Sequence, residues 1–523
     1  MIRYSSQYLM PHFQYIGLTF CGLLLLLGPC FGQATDLPLT HWAYPFLERL
    51  QTQGFISSAE LQCRPVSRKI LAQIVSAVDQ NQLSQTDALL LEQLKGDLAQ
   101  EITLILPPQW FSNPERHFYR YADPKSWFLL DLYGEQSFIS DRRRVSHSAP
   151  LFSTTTAGAI LRGTIGHSVG FYLDAQNQML RGTRYQRDRD SNFDPSAGLP
   201  LNITGRNAFQ DRAVAYFSFG FKSLAFKIGQ DEMAWGSGLT LNANWPPVNS
   251  LQLATKWRSL TFHTAQLSLN RSMSVKQLAV HRLDWQVTHH LKFGVSELLL
   301  NSDSNVDALL CIPFGGSLLN TLFDRGDHAV WSLDVMCFLR SRLKIYGELL
   351  IDQANMSRNI ENHVGSQLAF LAGAMWSNAF RIVNLDARLE FCRIGNGLYQ
   401  HSDSSKIFLH YDRFLGPPQG PGSGRVALSL GYQLCRDLRI DFGFDQIDKD
   451  PLRVDLPNNR NSNVYTTSAA ERRRNVVLGL TDQLCRDIYV RFFHTFSKIQ
   501  NVTGDPSKLL QGHVSQFQLL INF

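Results

Sequence analysis

The residues with most chemical character gather between Gly229 and Trp257. Gln230, Asp231, Glu232, Trp235, Asn242, Asn244 and Trp245 stand there, with Gly229, Gly236 and Gly238 between them. Indoles present flat apolar faces to sugar rings, while carboxylates and amides bond hydroxyls. Trp235 and Trp245 are therefore candidate stacking residues, and Gln230, Asp231, Asn242 and Asn244 candidate polar contacts. Catalysis is harder to build from this set. Asp231 and Glu232 adjoin, so on a strand they face opposite sides and make a poor acid–base pair. The sequence has no Gly-x-Ser-x-Gly elbow, no His-Glu-x-x-His and no phosphate loop. No enzyme and no cofactor are expected.

Metal chemistry is not signalled either. Asp303, Asn305 and Asp307 place oxygens on alternate residues, as the start of a calcium loop does. Ala308 then stands where such a loop needs Gly, and Phe314 where it needs Glu. The eight cysteines include no Cys-x-x-Cys pair, so a zinc site is not expected. Cys392, Cys435 and Cys485 lie in or beside strand patterns and read as small buried residues. Arg142, Arg143, Arg144 and Arg472, Arg473, Arg474 form basic clusters, and Arg181, Arg184, Arg187 and Arg189 add to them. They suit acidic polysaccharide, lipopolysaccharide phosphates or simple solvation at strand ends, the last two being preferred. A net charge of +6 makes no case for nucleic acid.

The elements that must position these residues are mostly strands. From Ser126 onward apolar and polar residues alternate. Leu343, Ile345, Leu349 and Ile351 interleave with Lys344, Tyr346, Glu348 and Asp352, and Leu385, Ala387, Leu389 and Phe391 with Asp386, Arg388 and Glu390. Charges on every second residue do not suit a dry core, but they suit a watery lumen whose opposite face meets lipid. Short breaks at Gly166-His167, Lys222-Ser223, Arg258-Ser259, His289-His290, Ser341-Arg342, Asn378-Ala379, Arg436-Asp437 and Arg486-Asp487 alternate with long polar segments. This pattern predicts an all-β transmembrane outer-membrane β-barrel of about 18 antiparallel strands over residues 126–523, with short turns in the periplasm and long loops outside. The last stretch alternates through Phe517, Leu519, Ile521 and Phe523, and is expected to close the cylinder against the first strand. Its terminal aromatic resembles the signal read by the barrel-insertion machinery.

Residues 1–34 read as a secretory signal, with Arg3, a greasy core over Gly17–Leu27 and a cleavage site at Gly32-Gln33-Ala34. Pro29 argues against lipidation at Cys30. Residues 35–108 predict a small periplasmic α-helical section. Its first helix stops at Gly54, a second carries Ile70, Ile74 and Val78 on one face, and a third is capped by Ser84 and Asp87 and runs through Leu90, Leu94, Leu98 and Ile102. His41-Trp42-Ala43-Tyr44 with Leu50 and Gly54 resembles one surface-layer-homology module, although a plain helical bundle is preferred. Residues 109–125 read as a linker.

The segment Gly229-Gln230 through Trp235-Gly236-Ser237-Gly238, followed by Leu241, Asn244 and Pro247, resembles the outer-membrane capsule-assembly (Wzi-like) family. The layout of signal, helical section and barrel is similar too. The chain departs from that family at Ser237, where Pro is favoured, and at Ala234, where a second Trp is common. The resemblance implies a non-enzymatic barrel that assembles, anchors or organises surface polysaccharide, with outer-membrane lipid and lipopolysaccharide as further partners. The Gly-Trp segment then has two open roles, sugar contact and a plug folded into the lumen, with the plug preferred. The alternative for the whole chain is a porin-type diffusion channel for small solutes.

Overall fold

The computed structural model describes residues 35–57, 60–103, 117–123, 125–143, 151–166, 169–182, 202–204, 207–221, 224–271, 274–301, 328–339, 342–352, 367–400, 406–411, 413–451, 469–485 and 487–522. The signal sequence, Arg144, Arg184, Arg187, Arg189, Cys311, the Asp303–Phe314 oxygens and Phe523 lie outside these residues.

Alternation along the chain becomes eighteen long strands. In order they are β1 (Trp127–Asp141), β2 (Leu151–Ile165), β3 (Val169–Gly182), β4 (Asn207–Phe221), β5 (Leu224–Asp231), β6 (Val248–Trp257), β7 (Leu260–Arg271), β8 (Ser274–Thr288), β9 (Leu291–Asn301), β10 (His328–Leu339), β11 (Leu343–Asp352), β12 (Leu368–Ser377), β13 (Leu385–Ile394), β14 (Ser423–Gln433), β15 (Leu438–Lys449), β16 (Glu471–Cys485), β17 (Ile488–Gln500) and β18 (Leu509–Asn522). Each pairs antiparallel with its sequence neighbours, and β18 returns to β1, with Val514 opposite Asp141 and Asn522 opposite Tyr133. The cylinder is closed, so the last strand offers no free edge. Two short strands, Tyr119–Ala122 and Asn202–Thr204, also join it. The first of these lies in the stretch expected to be linker.

Side chains sort by parity. On β11, Ile345 and Leu349 are 46% and 39% exposed on the outside, while Lys344 and Glu348 are 2% and 3% exposed inside. On β10, Leu333 faces out and Asp334 in. An outer face of Leu, Ile, Val and Phe over a charged inner face is the arrangement lipid requires. Trp257, Trp285, Trp376 and Phe380 are exposed near one end, where aromatic girdles sit. Among the described residues no helix is long and apolar enough to cross a membrane, so the crossing is made by strands. The chain is a closed barrel of the outer-membrane type.

The turns separate the two ends. The eight short breaks read from the sequence all join strands at one end, and that end also holds the start of β1 and the finish of β18. The opposite end carries the longer connections, except between β7 and β8, where only two residues separate the strands.

Among the described residues four α-helices precede the barrel: α1 (Ala43–Gln53), α2 (Arg68–Ser76), α3 (Gln85–Asp97) and α4 (Ala99–Thr103). Gly54 ends α1 at φ 86, and Ser84 Oγ accepts the Asp87 amide at 3.1 Å to cap α3. One sequence expectation needs correction: the third helix is two pieces that meet at Leu98, not one. On α2 the fully buried residues are Leu71, Ala72 and Val75, and Ile70 and Ile74 pack against the same core, which also buries Val78.

This helical unit sits at the tight-turn end. Arg49 reaches Asp386 and Asn378 beside the β12–β13 turn, and Glu48 pairs with Lys344 and Arg388 on the inner wall. Gln93 bonds Gln483 at 2.9 Å, and Lys256 meets Glu60 at 2.5 Å.

Candidate functional site

The wall supplies the anchor for what fills the lumen. Ser332 and Asp334 on β10, and Glu348 on β11, face inward because they fall on the polar parity of their strands. Glu348 is the hub. Its Oε2 accepts the amides of Ser237 at 2.8 Å and Leu239 at 3.0 Å, and its Oε1 accepts the Thr240 amide at 2.8 Å. The hydroxyls of Thr240 and of Ser332, the latter at 3.0 Å, complete five hydrogen bonds to one carboxylate. A buried carboxylate with that many donors is a structural fixture.

The stretch after β5 therefore does not leave the barrel as an open loop. It turns inward, and Ala234-Trp235 pairs with Arg64-Cys63 from the helical unit. The Gly236 amide donates to Gln62 O at 3.2 Å, and Trp235 and Leu241 exchange backbone bonds at 3.1 and 3.2 Å. Gly236 has φ 80, and a Cβ there would lie 2.9 Å from Glu348 Oε1, so this turn needs glycine. A second segment, between β13 and β14, packs over the first. Tyr399 OH donates to Leu239 O at 2.5 Å, the Asn242 amide to Leu415 O at 2.7 Å, and Arg413 to Asn244 O at 2.8 Å. Met233, Trp235, Leu239, Tyr399, Phe408 and Leu415 then form an apolar core inside the barrel.

The sequence-derived candidates part company here. Trp235 is 4% exposed and packs on His263, with ring centroids 5.7 Å apart. Asp231 is buried in an ion pair with Lys227, which also holds Asp36. Asn242 bonds Gly238 O within the plug, and Gln230 Nε2 reaches Pro247 O at 3.4 Å. Of these candidates Asn244 and Trp245 line a broad open space, Trp245 by one edge, being 4% exposed and packed on His410. That space is a cavity of about 1430 Å3 on the β1–β4 and β16–β18 side, lined by Tyr133, Gln176, Gln210, Tyr489 and Gln518 among others. Amides and phenols share that wall with carboxylates and arginines such as Asp131, Asp174, Arg162 and Arg491, and amides and phenols exchange hydrogen bonds with hydroxyls in both directions.

The described arginines of the basic clusters are largely engaged. Arg143 is tied to Asp141, Arg472 meets Asp448 at 2.6 Å, Arg473 lies 3.8 Å from Glu471, and Arg474 donates to Gln446 at 3.0 Å. Arg142 is exposed. Cysteine burial also needs correction. Cys392 is buried, but Cys435 and Cys485 are exposed, because Cys435 lies in the β14–β15 turn and Cys485 ends β16 at a tight turn. Sequence reasoning missed Glu348 and the segment between β13 and β14. Glu348 looks like any other lumen-facing residue, and a long polar loop carries no sign of which way it folds.

No protein-family model matches the chain. Among solved structures it is similar to Wzi of Escherichia coli, titled an outer membrane protein involved in group 1 capsule assembly and a carbohydrate-binding β-barrel. The TM-score is 0.62 at 12% identity, covering 94% of this chain and 99% of that one. OccAB1 of Acinetobacter baumannii matches at TM-score 0.46 and 8% identity, covering 76% of this chain and 96% of that one. The outer membrane protein OprD of Pseudomonas aeruginosa matches at 0.43 and 10%, covering 76% and 92%. By sequence, 197 residues are 23% identical to 2-succinyl-5-enolpyruvyl-6-hydroxy-3-cyclohexene-1-carboxylate synthase of Chlorobium chlorochromatii, covering 36% of this chain and 32% of that protein. The chain thus spans about a third of the curated relative it matches. Identities this low speak to the fold alone.

Proposed function

We propose that this protein is a non-enzymatic outer-membrane barrel that helps assemble, anchor or organise surface polysaccharide. One observation carries the reading. The segment after β5 is held inside the lumen by four hydrogen bonds to Glu348 and leaves beside it a cavity bordered by Asn244 and Trp245. A lumen obstructed in this way suits holding a chain of hydroxyls better than passing solutes. The likeness to a carbohydrate-binding barrel over 94% of the chain supports the same reading. Asn244 and Trp245 are the proposed glycan contacts, while Gln230, Asp231, Trp235 and Asn242 shape the plug that presents them. The helical unit lies on the periplasmic side with the tight turns, and the long loops face outward with Arg142.

The test is binding of the purified folded chain to polysaccharide released from the surface of the source cells. Wild type should bind, and Trp245→Ala should weaken binding by about tenfold, the loss of roughly one aromatic contact. Deleting the gene should release polysaccharide from the cell surface. Retention of all surface polysaccharide in the deletion strain would sink the reading. The polar cavity also favours a second reading, a diffusion channel for small solutes. Steady current across a planar bilayer would select that reading and discard the first.

A further inference from the structure

Where the helical unit, the plug and the wall meet, three potential metal donors come together. Cys63 comes from the short strand that pairs with Trp235, His263 from β7 and Asp284 from β8. Their donor atoms all lie within 4.8 Å of one another. Cys63 Sγ is 3.4 Å from Asp284 Oδ2. Donors around a tetrahedral ion with bonds of about 2.0–2.3 Å stand roughly 3.3–3.8 Å apart, so the Cys63–Asp284 separation already matches. Cys63 and Asp284 are 6% and 3% exposed. His263 Nε2 is buried and has no hydrogen-bond partner among the described residues, which costs free energy unless something occupies it.

Arg282 is shared between two carboxylates, bonding Asp284 Oδ1 through Nη2 at 2.6 Å and Asp334 Oδ2 through Nη1 at 2.6 Å. Asp284 Oδ2 accepts a longer bond from Arg282 Nε at 3.1 Å and is the oxygen facing the thiol. Arg282 thereby holds Asp284 in position, as outer-shell partners hold ligating carboxylates.

We infer that Cys63, His263 and Asp284 form a binding site for a borderline-soft divalent cation of the zinc class, which clamps the helical unit and plug to the barrel wall. The donor set of thiolate, imidazole and carboxylate suits zinc rather than calcium or magnesium, which take oxygens. Binding replaces the proton on Cys63 Sγ, and that proton leaves to solvent. Cys63 stands some two hundred residues before the other two ligands, which is why cysteine spacing carries no trace of them.

The experiment uses the full chain, folded in detergent, with Cys435 and Cys485 changed to Ser to remove the exposed thiols. After chelator treatment it is titrated with Co2+ as a spectroscopic probe, and then with Zn2+ in competition. One equivalent of Co2+ should bind with a thiolate-to-cobalt absorption band, and Zn2+ should displace it. Cys63→Ser should abolish the band. His263→Gln should keep the band and weaken binding about 100-fold or more, a readout that stands even where the Cys63 variant fails to fold. The inference is overturned by absence of the band in the parent protein, by its survival in Cys63→Ser, or by unchanged affinity in His263→Gln.

Discussion

At the scale of single residues, Glu348 decides whether the lumen is shut. Replacing it by Ala strips the acceptor from the amides of Ser237, Leu239 and Thr240 at once. Each unpaired buried donor costs about 1–3 kcal/mol, so the plug should detach while the lipid-facing wall persists. Bilayer recordings should then show current in Glu348→Ala that wild type lacks. Trp235→Ala should cost about 3–5 kcal/mol of thermal or denaturant stability, because a fully packed indole is removed. A glycan contact at that position would instead leave stability unchanged and lower affinity. His410 offers a pH effect. Burial pushes its imidazole down from 6.5 to about 4, against a weak opposing bond to Pro247 O. Its Nδ1 accepts the Asn270 amide at 3.0 Å, so a proton there places two hydrogens face to face. A histidine whose folded value is lowered contributes fully above 6.5 and loses its contribution as pH falls toward 4. Any acid-induced current should therefore rise between those values, and His410→Gln should remove that step.

At the scale of elements, the strands were legible, and an inward fold was expected of the Gly-Trp segment but not of the segment between β13 and β14. Parity alone located the wall, since Lys344 and Glu348 against Ile345 and Leu349 admit one arrangement in a lipid-bounded sheet. All eight tight turns followed from short polar breaks between such runs. The helices were readable from Gly54 and Ser84, but the break at Leu98 was not, because its apolar spacing continues across the join. Docking of the helical unit rests on charge pairs that no local pattern predicts. Burial pushes the Glu48 carboxyl up, but Arg388 and Lys344 hold it well below its ordinary 4.5. An acid with a lowered folded value stabilises the docked state above 4.5 and loses that contribution as pH falls through the lowered value. Limited proteolysis should thus cut the helical unit more readily in strong acid, and Glu48→Gln should make docking weaker at neutral pH and less dependent on acid. Equal acid sensitivity in both proteins would refute the role of this pair.

At the scale of the whole molecule, the lumen has two unlike halves. The side of β6 to β13 is packed with an apolar core and buried polar contacts such as His328–Asp352 at 2.8 Å and the Arg282–Asp334 ion pair. The side of β1 to β4 and β16 to β18 keeps the polar cavity. Folded protein should need detergent and migrate differently in gels before and after heating, as a closed strand-built cylinder does.

What the sequence determined by itself is the wall. Lipid outside and water or protein inside impose a period of two, and a period of two is written locally in every strand. The tertiary structure decided the interior. Trp235, Asp231 and Asn242 became plug rather than open binding surface because Glu348, more than a hundred residues away, collects the amides of their turn. Asn244 and Trp245 stayed beside the cavity because the segment between β13 and β14 folded over the other flank. Such contacts join positions distant in the chain through hydrogen bonds that any polar residue of the right parity can make, so composition and spacing hold no record of them.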